Sequence, residues 1–262
     1  MRDVLWLKLL LVPSLMAAVT LAGRRWGPAV AGVLVGLPLT SAPVVFLLAL
    51  EHGTAFAAQS AVGVLVGLVP LGSFYLAYGL LAQRARWPAC AAAGWCAYLV
   101  VAVALRAPAR SPLTAFLGAV AFLAVVMVLL PRGAPGRPAA RAPAWDIPFR
   151  MVTATAVVIA LTALAHTLGP RLSGLLAPFP VTGAVLSIFT QRLDGDHAVI
   201  RLIRGMGLAS FTFAAFFLVL AELLDRRGTA AAFGVAIAVA VVMHGVLLTG
   251  PSTRPARSRS DR

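Results

Sequence analysis

Acidic residues are scarce in this chain: eight Asp and Glu against 22 Lys and Arg in 262 residues. Charge of either sign is thin, at 11% of the chain, while 61% of it is hydrophobic. A soluble domain is roughly 45–50% apolar and roughly 25% charged. So little charge cannot clothe a water-facing surface, and the composition defines an integral membrane protein. Cysteine is nearly absent as well. Cys90 and Cys96 fall in one apolar run, and six helical positions point them to different faces, which excludes a mutual disulfide. No Cys-x-x-Cys, phosphate loop or nucleophile elbow occurs, and no pair of histidines stands at i, i+3 or i, i+4. The expectation is a protein that is not an enzyme, with no metal and no cofactor.

The formal charge of +14 does not point to nucleic acid. The basic residues are scattered in short gaps between apolar runs, as in cytoplasmic membrane loops. Only the tail "STRPARSRSDR" clusters them, and a solvated tail beside anionic headgroups accounts for it. The expected surroundings are the lipid bilayer.

A spanning helix takes about 20 mostly apolar residues. Runs of that kind lie at 4–22, 28–50, 55–82, 88–105, 112–130, 150–168, 171–191, 199–224 and 229–250. Gly, Pro and charge separate them. The first run is too long for a secretory leader and reads as a span. Pro70 predicts a kink in the third. The stretch 132–149, rich in Pro, Arg and Ala, reads as a flexible linker, and 251–262 as a basic tail. Sorting Lys and Arg by loop puts seven on the side of the N-terminus: Arg2, Lys8, Arg106, Arg110, Arg171, Arg226 and Arg227. The other fifteen, including Arg24, Arg25, Arg84, Arg86, Arg201 and Arg204, lie opposite. The positive-inside rule then predicts the N-terminus out and the C-terminus in, in a bacterial inner membrane.

The chain also matches itself at an offset of 142 residues. Gly27, Pro28, Gly32, Pro38, Thr40, Gly53 and Gly63 fall on Gly169, Pro170, Gly174, Pro180, Thr182, Gly195 and Gly205. Five crossings separate the copies, an odd number, so the second enters from the other side. The predicted fold is therefore all-α, about nine transmembrane helices in an inverted-topology repeat, with a central proline-broken helix in each copy. The first repeat and an extra fifth span occupy 1–131, and the second repeat 150–250.

Pro38 and Pro180 lie near the middle of their runs. Lacking an N–H, each is expected to free the carbonyl four residues back, at Leu34 and Leu176. Pro43 and Pro178 predict a second break in each copy. A half-helix that starts at a proline offers free N–H groups and the positive end of its dipole. Two such starts meeting at mid-membrane would cradle a small polar or anionic solute. The candidate binding residues are Pro38, Thr40, Ser41, Pro180, Thr182 and Gly183. Ionisable residues at span ends or at depth are candidates for coupling or gating: Glu51, His52, Asp194, Glu222 and His244. Thr153, Thr155 and Thr162 are candidates for bonds between helices.

The stretches "AVAGVLVGLPLTSAPVVFLLALEHG" to "GLVPLGSFYLAYGLLA", and "LSGLLAPFPVTGAVLSIFTQRLDG" to "GMGLASFTFAAFFLVLAELL", each resemble one unit of the GlpM-like family of small bacterial membrane proteins. In that family the proline and threonine are adjacent, whereas here Leu39 separates Pro38 from Thr40. The resemblance implies two fused units and a link to exopolysaccharide production. Two functions follow as expectations: a secondary transporter or permease, and a non-transporting accessory protein of envelope assembly.

Overall fold

The computed structural model describes residues 2–38, 41–105, 111–134, 145–156, 159 and 180–249, with side chains described from residue 13 to residue 247. These residues form helices and no strands. In chain order they are α1 (Arg2–Trp26), α2 (Pro28–Val35), α3 (Ser41–His52), α4 (Thr54–Leu81), α5 (Trp87–Ala104), α6 (Pro112–Leu129), α7 over 146–156, α8 (Val181–Asp194) and α9 (Asp196–Thr249). Four of them, α4, α5, α6 and α9, are long and apolar enough to cross a membrane.

Helix boundaries follow local chemistry. α2, α5 and α6 carry proline in their first turn, where the missing N–H costs nothing. Ser111 and Thr114 close a capping box on α6, the Ser111 hydroxyl accepting from the Thr114 N–H at 3.2 Å. Gly27, Gly53, Gly195 and Gly228 each stand just before a helical run with φ of 97°, 89°, 87° and 77°. With ψ between 165° and 178°, this conformation belongs to glycine almost alone. At Gly228 it interrupts α9, whose 54 residues would otherwise run about 80 Å, far beyond the roughly 30 Å of a bilayer core. The two arms fold back on one another, with the rings of Phe216 and Phe233 6.3 Å apart.

Matched positions recur 142 residues apart. His52, Gly53 and Thr54 end α3, turn the chain and start α4; Asp194, Gly195 and Asp196 do the same between α8 and α9. Arg86, before α5, corresponds to Gly228, before the second arm of α9. The counterparts α4 and the first arm of α9 run antiparallel. Thr54 donates to Asp225 at 3.3 Å at one end, and the carbonyl of Ala82 meets Gln191, five residues before Asp196, at the other. α6 has no counterpart and packs between α4 and α9.

Two apolar clusters fill the bundle. One gathers Phe74, Tyr75, Tyr78 and Tyr98 with Ile200 and Ile203; the other gathers Leu65, Leu68 and Leu123 with Phe216, Phe217 and Leu220. The outer faces are apolar too: Val128 is 83% exposed, and Val100, Val241 and Val246 are similarly open. Such surfaces are at home against lipid and unstable against water.

α4 is one helix through Pro70, and the Ser73 hydroxyl donates to the Val69 carbonyl at 3.1 Å beside it. Two expectations are revised. Pro43 falls in the first turn of α3 and breaks nothing. The stretch read as linker is structured at both described ends. Residues 146–149 are the first turn of α7. At 131–134 the chain docks on α9: Arg201 donates to the Ala134 carbonyl and the Ala134 N–H to His197 Nδ1. Arg204 donates to the carbonyls of Met127 and Leu130, at 3.2 and 2.8 Å. These are open acceptors at the negative end of α6, where a guanidinium fits.

Candidate functional site at the helix break

The run 28–50 is broken where its proline stands. α2 ends at Val35, α3 begins at Ser41, and Pro38 between them is buried. The missing N–H of Pro38 does not leave the Leu34 carbonyl open, contrary to the expectation from sequence. The chain tightens so that the Leu37 N–H donates to Leu34 at 3.2 Å, a three-residue closure common at helix ends. That moves the deficit back one residue: Leu37 would otherwise have served Val33. His244 supplies the substitute, its Nε2 lying 3.0 Å from the Val33 carbonyl. A carbonyl only accepts, so Nε2 carries the proton.

The break is held against α9 by residues without bulk. A Cβ at Gly32 would lie 2.1 Å from the Leu202 carbonyl oxygen, and one at Gly36 would lie 2.1 Å from the Ala209 Cβ. Contact advances by four residues on both helices, so α2 and the first arm of α9 run parallel. Gly205, Ala209 and Thr212 follow at i, i+4 and i+7 on one face. Thr212 therefore stands about 4.5 Å beyond Gly36, at the level of the break. His244, on the second arm, lies instead at the level of Val33. Thr212 and His244 are both buried, and among the described residues Thr212 Oγ1 and His244 Nδ1 have no hydrogen-bond partner.

The second proline acts like the first. Pro180 is buried and precedes α8; its carbonyl accepts from the Ala184 N–H at 2.8 Å, as that of Pro38 does from Ala42 at 2.8 Å. Gly183 lies against the sulfur of Met206, whose backbone N–H faces Gly32. α2, which leads into the first break, and the proline-led start of α8 thus meet at Met206 of α9. Ser41 and Thr182 lie in the first turns of α3 and α8 and are half-buried. Thr40, Leu176, Pro178 and Thr162 lie outside the described residues.

The remaining candidates sit elsewhere. Glu51 and His52 are exposed, 4.0 Å apart, with His52 stacked on Phe56. Glu222 lies 3.7 Å from Arg226. Asp194 ends α8 at the opposite end; burial holds its carboxyl above the usual range, while Arg150, Arg24 and Arg201 pull it down. Thr153 donates within its own helix, to Phe149 at 2.7 Å. Of the coupling candidates, only His244 reaches the break. Thr212 was not singled out from sequence, although the Gly-x-x-x-Ala-x-x-Thr spacing carries it.

Two further polar assemblies tie the arginine-rich end. Gln191 Nε2 donates toward the carbonyls of Ala82 and Ala85 and the Asp196 carboxylate, at 3.2, 3.0 and 3.0 Å. Asp146, buried, accepts from Arg150 at 2.7 Å and Arg24 at 2.9 Å. Neither contains a metal-ligating group: among the described residues no three of His, Cys, Asp and Glu converge.

No family model, curated protein or solved structure matches this chain.

Proposed function

We propose that the chain is a secondary transporter of the bacterial inner membrane, built as an inverted-topology repeat of about nine crossings, that carries a small polar or anionic solute through the helix break. The observation that carries this reading is that α2, which leads into the break at Pro38, and the start of α8 behind Pro180 meet at Met206 of α9. The antiparallel course of α4 and the first arm of α9 supports the inversion. The arginines gathered at one end support the N-terminus outside and the C-terminus inside. Half-helix starts at depth suit anionic groups, and His244 Nδ1, buried beside α2 with no partner among the described residues, is an atom whose hydrogen bonding a solute would complete.

The test is uptake by vesicles containing the purified protein, across a panel of anions and sugars. Thr40→Val and Thr182→Val should each lower flux by about tenfold, equivalent to about 1.4 kcal/mol. Unchanged flux in both variants would remove the site. A second reading, a non-transporting accessory protein, is favoured by an apolar groove of about 190 Å³ lined by Val66, Val69, Leu105, Ala115 and Ala119. It would gain if wild-type vesicles moved no solute at all.

A further inference from the structure

His244 does more at the break than supply one donor, because asparagine or glutamine would cap Val33 as well. Its ring is 5% exposed and its second nitrogen has no partner. With the proton on Nε2, fixed by Val33 at 3.0 Å, Nδ1 is a bare lone pair inside the protein. It faces no competing charge. α2, the turn through Leu37 and Pro38, the start of α3 as far as Phe46, Gly205–Phe216 of the first arm and the rest of the second arm contain no other titratable residue. Among the described residues no charged side chain acts on the ring.

We infer that His244 is the proton carrier of this site, and that the solute is a small monovalent oxyanion, a monocarboxylate being the simplest case, moved with one proton. The inference rests on the transporter reading. In the loading step a proton from water on one side joins the Nδ1 lone pair. The ring becomes an imidazolium that still donates from Nε2 to Val33. Its new N–H is then a charged donor beside α2 and the break. A carboxylate is the acceptor such a donor binds most strongly. Cation and monoanion cancel at membrane depth, whereas a dianion would leave a net charge there, which the bilayer interior disfavours. On the far side the anion and the proton depart, and the neutral ring is restored. One proton and one anion move per cycle, with no net charge.

The experiment uses the full chain in liposomes, protein-free vesicles as blanks, and labelled lactate, pyruvate, fumarate, sulfate and glucose. Two modes are compared: accumulation driven by an acidic exterior, and exchange with the same solute inside at equal pH. The wild type should accumulate the monocarboxylates, and a trapped pH dye should report one proton entering per anion. The dianions and glucose should not accumulate. His244→Gln keeps a donor for Val33 and removes the titrating nitrogen. It should lose accumulation and exchange of the monocarboxylates alike by about tenfold or more, while its unfolding midpoint in detergent stays near that of the wild type, which separates the loss from damage to the fold. Should His244→Gln fail to fold, the dye measurement on the wild type decides. Anion uptake without proton entry, accumulation surviving in His244→Gln, or a preference for dianions each overturns the inference and leaves the transporter reading standing. No flux of any solute in either mode overturns both.

Discussion

Gly32→Leu should prevent the chain from folding, or leave a protein that unfolds far below the wild type. The added Cβ would lie 2.1 Å from the Leu202 carbonyl oxygen, 2.8 Å from the Met206 nitrogen and 3.0 Å from the Gly205 Cα. All three are backbone atoms of α9, so no rotamer change relieves the contact. α2 would have to withdraw along its length. In lipid, helices associate through close van der Waals contact and not by excluding water, so a gap opened here has little to compensate it. An overpacked core costs about 1–3 kcal/mol when side chains are free to adjust; a collision with backbone should exceed that. Gly205→Leu should behave alike, its Cβ meeting the Ala29 carbonyl at 2.3 Å. Gly234→Leu is the contrast. Gly234 is exposed on the second arm and a Cβ there meets nothing within 4 Å. Leucine facing lipid should be neutral or favourable by roughly 0.3–0.6 kcal/mol. Unfolding midpoints in detergent would compare the three. A Gly32→Leu protein as stable as Gly234→Leu would show that α2 and α9 do not touch at this point.

The parts of this molecule that were legible in its sequence are those set by local rules. Gly53 and Gly195 are recognisable as turns because only glycine takes their backbone angles, and both precede a helix as their positions suggest. Pro38 announces a helix break and Pro180 a helix start because the missing N–H is a property of the residue itself. What was not legible depends on partners distant along the chain. The carbonyl left without a donor is Val33 and not Leu34, because the backbone at Leu37 can tighten by one residue and the cost then falls one carbonyl earlier. That choice is stable because His244, 211 residues away, reaches Val33. No spacing rule links the two. Thr212 counted as one apolar-run residue among many until the contact of Gly36 with Ala209 gave its face a meaning. The 132–149 stretch has the composition of a linker, yet one carboxylate in it, Asp146, meets two arginines. Low apolar content describes a segment's average, and a single buried ion group is enough to seat it.

Asp146→Ala should cost about 3–5 kcal/mol, the penalty for stranding a buried charge. The Asp146 side chain is 1% exposed and that of Arg150 is 5% exposed. Arg150 rests over the ring of Phe189, 5.1 Å from its centroid, a contact that holds the guanidinium in place and does not neutralise it. Without the carboxylate, the Arg150 charge stays inside the protein with no counter-ion in contact. Arg24 is a lesser partner. Its side chain is 35% exposed, water solvates it when the pair is broken, and Arg24→Gln should cost about 1 kcal/mol or less. The double variant Asp146→Leu with Arg150→Met removes both charges and keeps apolar volume, so it should recover most of the loss. Denaturation of the wild type, Asp146→Leu, Arg150→Met and the double variant in one detergent would give the coupling directly. Non-additivity of several kcal/mol between positions 146 and 150 is the expected result. An Asp146→Ala protein destabilised by less than about 1 kcal/mol would mean that this end of α7 is held by its apolar contacts alone, with Asp146 free to reach water.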